Sequence, residues 1–357
     1  MADYFAQQSR IPMASNTHAG PIEAVTALSF PWQTRDPFLF CAYHDDAYPA
    51  GNSDLGPAAS LAGRHIGQDF DPGNAWRMYH GDVVPGFPQH PHRGFETVTI
   101  INQGYVDHAD SLGAMARFGP GDVQWLTAGS GIVHAEMFPL LEEQQGNPLE
   151  MFQVWLNLPA ADKMVDPHFT MLWRNAIHRV TQTDDCGLNT TVRVIAGNYR
   201  EHHGPDTPPN SWAAKAHAKV SIWTIELEAN ASWTLPATTG DILRTLYFYD
   251  GDTIDIADTT VSVQHMIELK ADQDVGLQAL NKPAQLLLLE GRPIGESVAH
   301  HGPFVMNTRG ELKQAFRDYQ RTQFGGWPWA NNAPVHERDS GRFAVHAGGK
   351  KETFDKT

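Results

Sequence analysis

Two short stretches of the sequence carry paired side chains that can bind a metal ion. His90 and His92 stand two residues apart in PQHPHRGFETVT, and His134 and Glu136 repeat this spacing in GSGIVHAEMF. In a β-strand, residues i and i+2 leave the same face about 7 Å apart along the chain, so each pair can converge on one point. An isolated pair of this kind is usually a surface feature. Two pairs within about fifty residues of a strand-rich region instead favour a metal site.

The donor set of this site indicates what it could do. Three imidazole nitrogens and one carboxylate suit a divalent first-row metal, namely Fe, Mn, Co, Ni, Cu or Zn, and an octahedral ion would keep two positions open. Open positions distinguish catalytic from structural metal sites. The fourth ligand is open at this stage, because Glu96 is in phase with His90 and His92 and could also face inward. If the chain bends at Arg93 and Gly94, the phase is lost, and Glu96 is instead a hydrogen-bond acceptor beside the ligands or a partner of Arg93.

The elements that must position these side chains are β-strands. The 357 residues include 24 Pro and 31 Gly, and the apolar residues come in short runs separated by turns. Strand-like text runs from about residue 70 to 158 and again from about 192 to 290, with a more polar crossover between them. After Asn307 the apolar period becomes helical, and Thr308 with Glu311 forms a capping-box pattern. The irregular stretch GGWPWANNAPVH then predicts a surface strap anchored by Trp327 and Trp329.

Charge and composition exclude several functions. The formal net charge is −15, from 41 acidic against 26 basic residues, which disfavours binding to nucleic acid or to an anionic membrane. No apolar run approaches 18 residues and no secretory signal opens the sequence, so we expect a soluble, cytoplasmic protein. The two cysteines, Cys41 and Cys186, are far apart and cannot build a zinc site.

Three motifs resemble the pirin family, a bicupin branch of the cupin superfamily. They are HPHRGFETVT, GPGDVQWLTAGSGIVHAEM and FQVWLNLPAADKM. The residues of the general cupin pattern are present, although the gap before Gly104 is one residue longer than usual. They are Gly86, His90, His92, Glu96, Gly104, Pro120, Gly121 and His134. In pirins the metal ligands are the HxH pair and the His and Glu of HAEM. The resemblance therefore implies His90, His92, His134 and Glu136 as ligands, with Glu96 as a near neighbour.

The resemblance also implies the fold: all-β, with two tandem cupin (jelly-roll-like) β-barrels followed by a C-terminal helix and an extended tail. We predict a flexible N-terminus (1–19), a metal-binding cupin barrel (20–165), a cupin barrel without metal (166–305), and a helix with a surface strap (306–357). One metal ion per chain follows, because the histidines of the second barrel lack the paired spacing. These are His202, His203, His217, His265, His300 and His301.

The function implied by the resemblance is an Fe(II)-dependent quercetin 2,3-dioxygenase. A flavonol would approach the metal through its 3-hydroxyl, dioxygen would add across the central ring, and carbon monoxide would leave. Glu136 is the candidate base for the flavonol proton, with Glu96 as second choice. The alternative is a non-catalytic, metal- and redox-sensing regulator that binds a protein partner. A third possibility is a barrel with a purely structural metal or none.

Overall fold

The computed structural model describes residues 20–354, and the predicted flexible N-terminus lies outside them. Within these residues the chain forms 26 strands, one α-helix and three short 3-10 turns. The predicted all-β class is therefore confirmed. None of the helices in this part of the chain has the length and apolar character needed to cross a bilayer.

The first ten strands build the first barrel, except for β1. They are β1 Ile22–Ala27, β2 Phe38–Tyr48, β3 Gly86–His92, β4 Phe95–Gln103, β5 Val106–Asp110, β6 Met115–Phe118, β7 Val123–Thr127, β8 Ile132–Met137, β9 Asn147–Asn157 and β10 His168–Leu172. One sheet has the order β10-β7-β4-β9-β2, and the facing sheet contains β6-β5-β8-β3. A buried apolar cluster draws on both sheets, with Ile101 and Leu126 from one and Val106 and Ile132 from the other.

The second barrel follows the same plan with a more apolar interior. Its strands are β11 His178–Thr183, β12 Asn189–Ala196, β13 Asn198–Tyr199, β14 His202–His203, β15 Ser221–Leu227, β16 Ser232–Leu235, β17 Leu243–Asp250, β18 Thr253–Ile256, β19 Thr259–Ser262, β20 His265–Lys270, β21 Val275–Ala279 and β22 Ala284–Gly291. The main sheet has the order β1-β20-β17-β22-β15-β12-β11, and the smaller sheet β16-β21-β18-β19. Trp223, Trp233, Leu246 and Leu288 help to fill the space between them.

The two barrels share a buried interface. Trp32, Val98, Ile100 and other apolar side chains of the first barrel form one cluster with Tyr247 and others of the second. The rings of Trp32 and Tyr247 stack with centroids 5.2 Å apart. In β4, Val98 and Ile100 face the second barrel, while Ile101 packs inside the first. Both faces of β4 are therefore buried from Phe95 to Ile101.

Strand pairing crosses the predicted domain limits, which stay a prediction. The strand β1 precedes the first barrel but pairs with β20 of the second, and β10 follows residue 165 but pairs with β7. Both exchanges bury the backbone groups of a short segment against a sheet edge that would otherwise be unpaired. By hydrogen bonding, β1 therefore belongs with the second barrel and β10 with the first.

The C-terminal region returns to the first barrel. A short hairpin of β23 Ala299–His301 and β24 Phe304–Met306 leads into α1 Arg309–Thr322, whose N-cap Thr308 forms the predicted capping box with Glu311. The stretch that follows is irregular as expected, and Trp329 Nε1 donates to the carbonyl of Asp110 at 2.8 Å.

The end of the tail differs from the predicted strap. Instead of lying irregularly on the surface, the chain forms the hairpin β25 Arg342–Val345 and β26 Lys351–Phe354, and β25 pairs with β6. Burial alternates along RFAV, with Arg342 and Ala344 buried and Phe343 and Val345 partly exposed, as in a strand, and the open edge of β6 supplies its hydrogen-bonding partner. The facing sheet of the first barrel therefore has six strands, β26-β25-β6-β5-β8-β3.

Gly94, between β3 and β4, generates a test of this packing. Its φ is +85°, and a Cβ there would lie 1.9 Å from the carbonyl oxygen of Val305. Gly113 has nearly the same φ, +84°, but no atom within 4 Å of an added Cβ. We expect Gly113→Ala to cost about 1 kcal/mol through backbone strain alone. Gly94→Ala should cost on the order of 2 kcal/mol more, because a backbone carbonyl must move.

Chemical denaturation of the two variants measures this difference directly. An equal loss of unfolding free energy in Gly94→Ala and Gly113→Ala would show that the contact between the β3–β4 turn and β24 is not tight.

Candidate metal centre

The predicted metal-binding pairs lie on two neighbouring antiparallel strands. In the pairing of β3 with β8, His90 is directly opposite His134, and a bulge between Phe87 and His90 places Phe87 opposite Glu136. Opposite residues of an antiparallel pair point to the same face of the sheet. Because β3 is the edge strand, Pro88 and Pro91 are tolerated although they cannot donate to the ladder.

The three histidines converge. The ligand nitrogens of His90, His92 and His134 all lie within 4.8 Å of one another. Their ring centroids are 4.4 to 4.8 Å apart. Within residues 20–354 this is the only cluster of at least three His, Cys, Asp or Glu side chains with such a spacing. The cluster fits a single metal ion.

Hydrogen bonds at the outer nitrogens orient two of these rings. The Nδ1 atom of His90 lies 2.9 Å from the carbonyl oxygen of Pro88, and that of His92 lies 3.4 Å from the carbonyl of Pro303. A carbonyl can only accept, so each Nδ1 carries the proton and each Nε2 presents a lone pair. This arrangement is usual for metal-ligating histidines.

The electrostatics also favour neutral ligands. Burial lowers the pKa of His90 to about 4, and burial lowers the pKa of His92 and of His134 well below the ordinary range. The Nε2 of His92 and both ring nitrogens of His134 are buried without a hydrogen-bond partner among the described residues. Unsatisfied buried polar atoms are costly, and a bound cation would satisfy those that face it. The residues present therefore fit a metal ion.

Glu136 lies beside the cluster, held by two neutral donors. Its Oε2 is 3.9 Å from His134 Nε2 and accepts a 2.6 Å hydrogen bond from Gln153 Nε2. Its Oε1 accepts from the hydroxyl of Thr99 at 3.0 Å. Burial raises the pKa of this carboxyl. Each oxygen of the carboxylate has a further lone pair, so these bonds do not prevent Glu136 from binding a metal.

Glu96, the alternative carboxylate, points away from the cluster. The chain turns at Gly94, and β4 begins in a new phase in which Glu96 shares the outward face of Val98 and Ile100. Its oxygens accept hydrogen bonds from Thr127 at 2.7 Å and from Ser211 at 2.5 Å. Glu96 is thus a buried carboxyl at the interface between the barrels.

A second polar pair, not anticipated from the sequence, flanks the cluster. On β5, His108 is opposite Glu136 and Asp110 is opposite His134, so both side chains share the inner face. His108 Nε2 lies 3.1 Å from Asp110 Oδ2, and the rings of His108 and His134 are 5.6 Å apart. The signal was present in VDHAD, where a histidine and an aspartate again stand two residues apart.

The C-terminal region secures the turn that follows His92. Arg93 donates to the carbonyl of Ser130 at 2.6 Å and to Asp318 of α1 at 2.9 Å, and its guanidinium lies 4.5 Å from the Phe324 ring centroid. Together with the carbonyl of Pro303, these contacts hold the strand end that carries His92.

A cavity of about 400 Å³ opens beside the cluster. Its walls include His90, His92 and Glu136 and the rings of Phe40, Phe87 and Trp155. This is the size range of small-molecule sites, which are mostly apolar with a few placed polar groups. The arrangement can hold a metal ion at one wall and an aromatic molecule against it.

Two tandem antiparallel barrels, one of them with converging imidazoles on its inner face, define a bicupin. Residues 23–156 match the profile of the Pirin family, and residues 222–325 match that of the Pirin C-terminal cupin domain. The chain belongs to the pirin family, and the expected family and fold class are confirmed.

Individual relatives agree with this assignment. A Pseudomonas aeruginosa protein provisionally named a quercetin 2,3-dioxygenase is 40% identical over 239 residues, covering 67% of this chain and 79% of that protein. Pirin of Mus musculus is 33% identical over 274 residues, covering 74% and 86%. The crystal structure of quercetin 2,3-dioxygenase from Acinetobacter baumannii superimposes with a TM-score of 0.65 at 28% identity, covering 82% of this chain and 87% of that chain.

Metal binding gives the first test of the site. We expect His92→Ala to lower the affinity for a divalent ion at least about a hundredfold, because one of three converging nitrogens is lost. The fold should survive, since strand pairing and apolar burial supply most of the stability. His265→Ala, in β20 of the second barrel, is the matched control and should bind metal normally. Isothermal titration with Zn²⁺ and a thermal melt measure both effects, and unfolding on chelation would contradict the expectation.

Glu96 gives a pH-dependent test. Burial raises its pKa from 4.5 to about 7, although Ser211 and Thr127 donate to it and oppose the shift. A carboxyl with a raised folded-state pKa stabilises the fold fully below its unfolded pKa, and this contribution is lost as the pH rises through the folded value. We expect the wild type to lose on the order of 3 kcal/mol from this group between pH 4.5 and 7.5.

Urea unfolding across that range measures the loss. Glu96→Gln should flatten the slope, whereas Glu226→Gln, on the exposed face of β15, should leave it unchanged. A slope that is the same in Glu96→Gln and wild type would show that Glu96 is ionised alike in the folded and unfolded states.

Proposed function

We propose that this protein is a metal-dependent dioxygenase that cleaves a flavonol such as quercetin with O2 and releases carbon monoxide. The observation that carries the proposal is the opening of the imidazole cluster into an aromatic-lined cavity. The names of the Pseudomonas and Acinetobacter relatives support the same reaction. A cytoplasmic location is part of the proposal.

His90, His92 and His134 would hold the ion, with Glu136 as the fourth ligand. Iron(II) is the proposed metal, and Mn, Co, Ni, Cu or Zn would suit the same donors. When bound, the ion supplies Lewis acidity and open positions for the substrate oxygen and dioxygen. The buried nitrogens of His92 and His134 without partners support this assignment.

The aromatic rings of the cavity would orient the substrate. Phe87 and Trp155 both line the cavity next to the imidazole cluster, with Phe87 6.3 Å from the His90 ring and Trp155 5.4 Å from the His92 ring. Flat aromatic ligands gain about 0.5–1.5 kcal/mol per ring contact beyond area burial. A flavonol placed between these rings would present one edge to the cluster.

Glu136 is the proposed general base. It lines the cavity beside the cluster, and Thr99 and Gln153 fix its carboxylate through one hydrogen bond to each oxygen. A base must lie within hydrogen-bond reach of the proton it takes, and the 3-hydroxyl of a flavonol at the cluster would meet this requirement. Transfer of that proton to the carboxylate would leave the flavonol as the oxygen-reactive anion.

The alternative function is a redox-sensing regulator that binds a protein partner. It uses the same imidazole cluster but has no need of an internal cavity lined by aromatic rings. The aromatic-lined cavity therefore favours the enzyme over the regulator. The two functions differ in oxygen consumption, because only the enzyme uses dioxygen when quercetin is added.

Replacement of the base tests the enzyme function. Iron(II)-loaded wild type should consume oxygen with quercetin. Glu136→Gln should lower turnover per bound iron at least about a hundredfold, the usual contribution of a general base. Glu150→Gln is the matched control, because Glu150 also accepts two side-chain hydrogen bonds, from Tyr43 and Asn102, but does not line the cavity.

Oxygen uptake and metal content should be measured on the same samples. Wild-type turnover in Glu136→Gln would refute the role of the base. No uptake by iron-loaded wild type, together with a redox-dependent affinity for a protein partner, would support the regulator instead.

A further inference from the structure

A buried chain of polar side chains reaches the cavity wall away from the metal cluster. The Tyr79 hydroxyl donates to Asp46 Oδ2 at 2.7 Å, and His44 Nδ1 lies 2.8 Å from the same hydroxyl. Arg77 Nε donates to the other oxygen of Asp46 at 2.8 Å. His44, Asp46 and Tyr79 are each at most 4% exposed. We call the three side chains Asp46, Tyr79 and His44 the relay.

The relay fixes the protonation of His44. Asp46 is paired with the Arg77 guanidinium and accepts the hydroxyl proton of Tyr79. The Tyr79 oxygen must then accept from His44, so Nδ1 carries the proton. Burial, with Arg77 nearby, lowers the pKa of His44 to about 3, so the ring is neutral. Its Nε2 is consequently a hydrogen-bond acceptor.

This acceptor has no hydrogen-bond partner in the described part of the chain. Among residues 20–354, no hydrogen bond engages Nε2 of His44, although the side chain lines the cavity. The His44 ring is surrounded by aromatic rings, with Phe87 at 5.9 Å and Phe30 at 6.2 Å. Nε2 is not among the fully buried atoms that lack a partner, so it is accessible from the cavity, where a bound molecule could donate a hydrogen bond to it.

The backbone supports a role beyond packing. Tyr79 has a φ of +56°, in the left-handed region that residues other than glycine seldom adopt. Strained conformations of this kind cost of order 1–3 kcal/mol and cluster at ligand sites. The strain is maintained by two backbone hydrogen bonds between Tyr79 and Asp69.

The position of His44 defines what it could recognise. The Phe87 ring lies 5.9 Å from the His44 ring and 6.3 Å from the His90 ring, so it stands between the relay and the metal cluster. A ligand that reaches both must extend past Phe87. A neutral acceptor favours an O–H or N–H donor and gives no advantage to an anionic substituent.

We propose that His44 Nε2 accepts a hydrogen bond from a phenolic hydroxyl on the part of the substrate remote from the metal, and that Asp46 and Tyr79 are positioning residues for this contact. The proposal rests on the proposed function, because it assigns the orientation of a flavonol in the same cavity. It makes the relay a determinant of substrate specificity.

Two ligands test the contact on the unaltered protein. Quercetin and 3-hydroxyflavone both carry the 3-hydroxyl, but only quercetin has further phenolic hydroxyls. Binding is measured by calorimetry on zinc-loaded protein under anaerobic conditions, so that no turnover is needed. We expect quercetin to bind wild type at least about fivefold more tightly, the effect of one buried hydrogen bond.

Two variants at position 44 separate the ring nitrogens. His44→Asn keeps a polar group near Nδ1 and removes the acceptor at Nε2, so it should abolish most of the preference for quercetin. His44→Gln places its carboxamide near Nε2 and should retain more of it. Tyr79→Phe removes the hydroxyl that keeps the proton on Nδ1 of His44, so Nε2 is no longer fixed as an acceptor and the preference for quercetin should fall. The affinity for 3-hydroxyflavone should stay within about twofold of wild type in all three variants. General damage to the cavity would instead weaken the binding of both ligands.

Each result decides the proposal. A preference for quercetin that falls in His44→Asn and is partly restored in His44→Gln supports it. Equal binding of the two ligands to wild type, or a preference for quercetin that is unchanged in His44→Asn, contradicts the proposed role of the relay. If the iron-loaded protein still consumes oxygen with quercetin in that case, the proposed dioxygenase function is not affected. Wild type that binds neither ligand overturns both.

Discussion

The register between β3 and β8 is the constraint on which the candidate metal centre depends. Because His90 stands opposite His134, the two pairs share one face of the sheet and their nitrogens converge. A slip of one residue would turn every side chain of β3 to the opposite face. The bulge between Phe87 and His90 shifts the pairing of β3 with β8 just before His90, and so sets the register of His90 and His92.

The free-energy cost of burying the polar side chains of the candidate centre is offset by the surrounding apolar packing. Three neutral imidazoles and a buried carboxylate are desolvated within the first barrel, whereas the second barrel is filled by tryptophan, leucine and other apolar side chains. The shared interface adds a further apolar cluster that involves both. The two halves thus use the same barrel plan differently: the inward polar residues of the first are three converging imidazoles, whereas Arg244 and Glu290 of the second form a buried ion pair.

Much of this arrangement follows from local sequence patterns, and the rest does not. The i, i+2 spacing of His90 with His92, and of His134 with Glu136, predicts strand faces, and the Thr308 capping box predicts the start of α1. The orientation of Glu96 depends on the backbone turn at Gly94, because residue spacing alone could not decide whether Glu96 faces the same side as His90 and His92. The relay could not be predicted, since Asp46 and Tyr79 are joined by tertiary contacts across a long irregular segment. The added strands β25 and β26 likewise depend on an open sheet edge that no local pattern reveals.

The candidate metal centre is also in contact with parts of the chain far from its motifs. His92 is oriented by the carbonyl of Pro303, 211 residues later, and Arg93 is held by Asp318 of α1. Trp329 bonds the backbone of Asp110, which lies opposite His134. Each of these contacts joins the C-terminal region to a strand that carries or flanks the imidazole cluster. The C-terminal region is therefore a structural support of the candidate metal centre, and this support comes from residues outside the cluster itself.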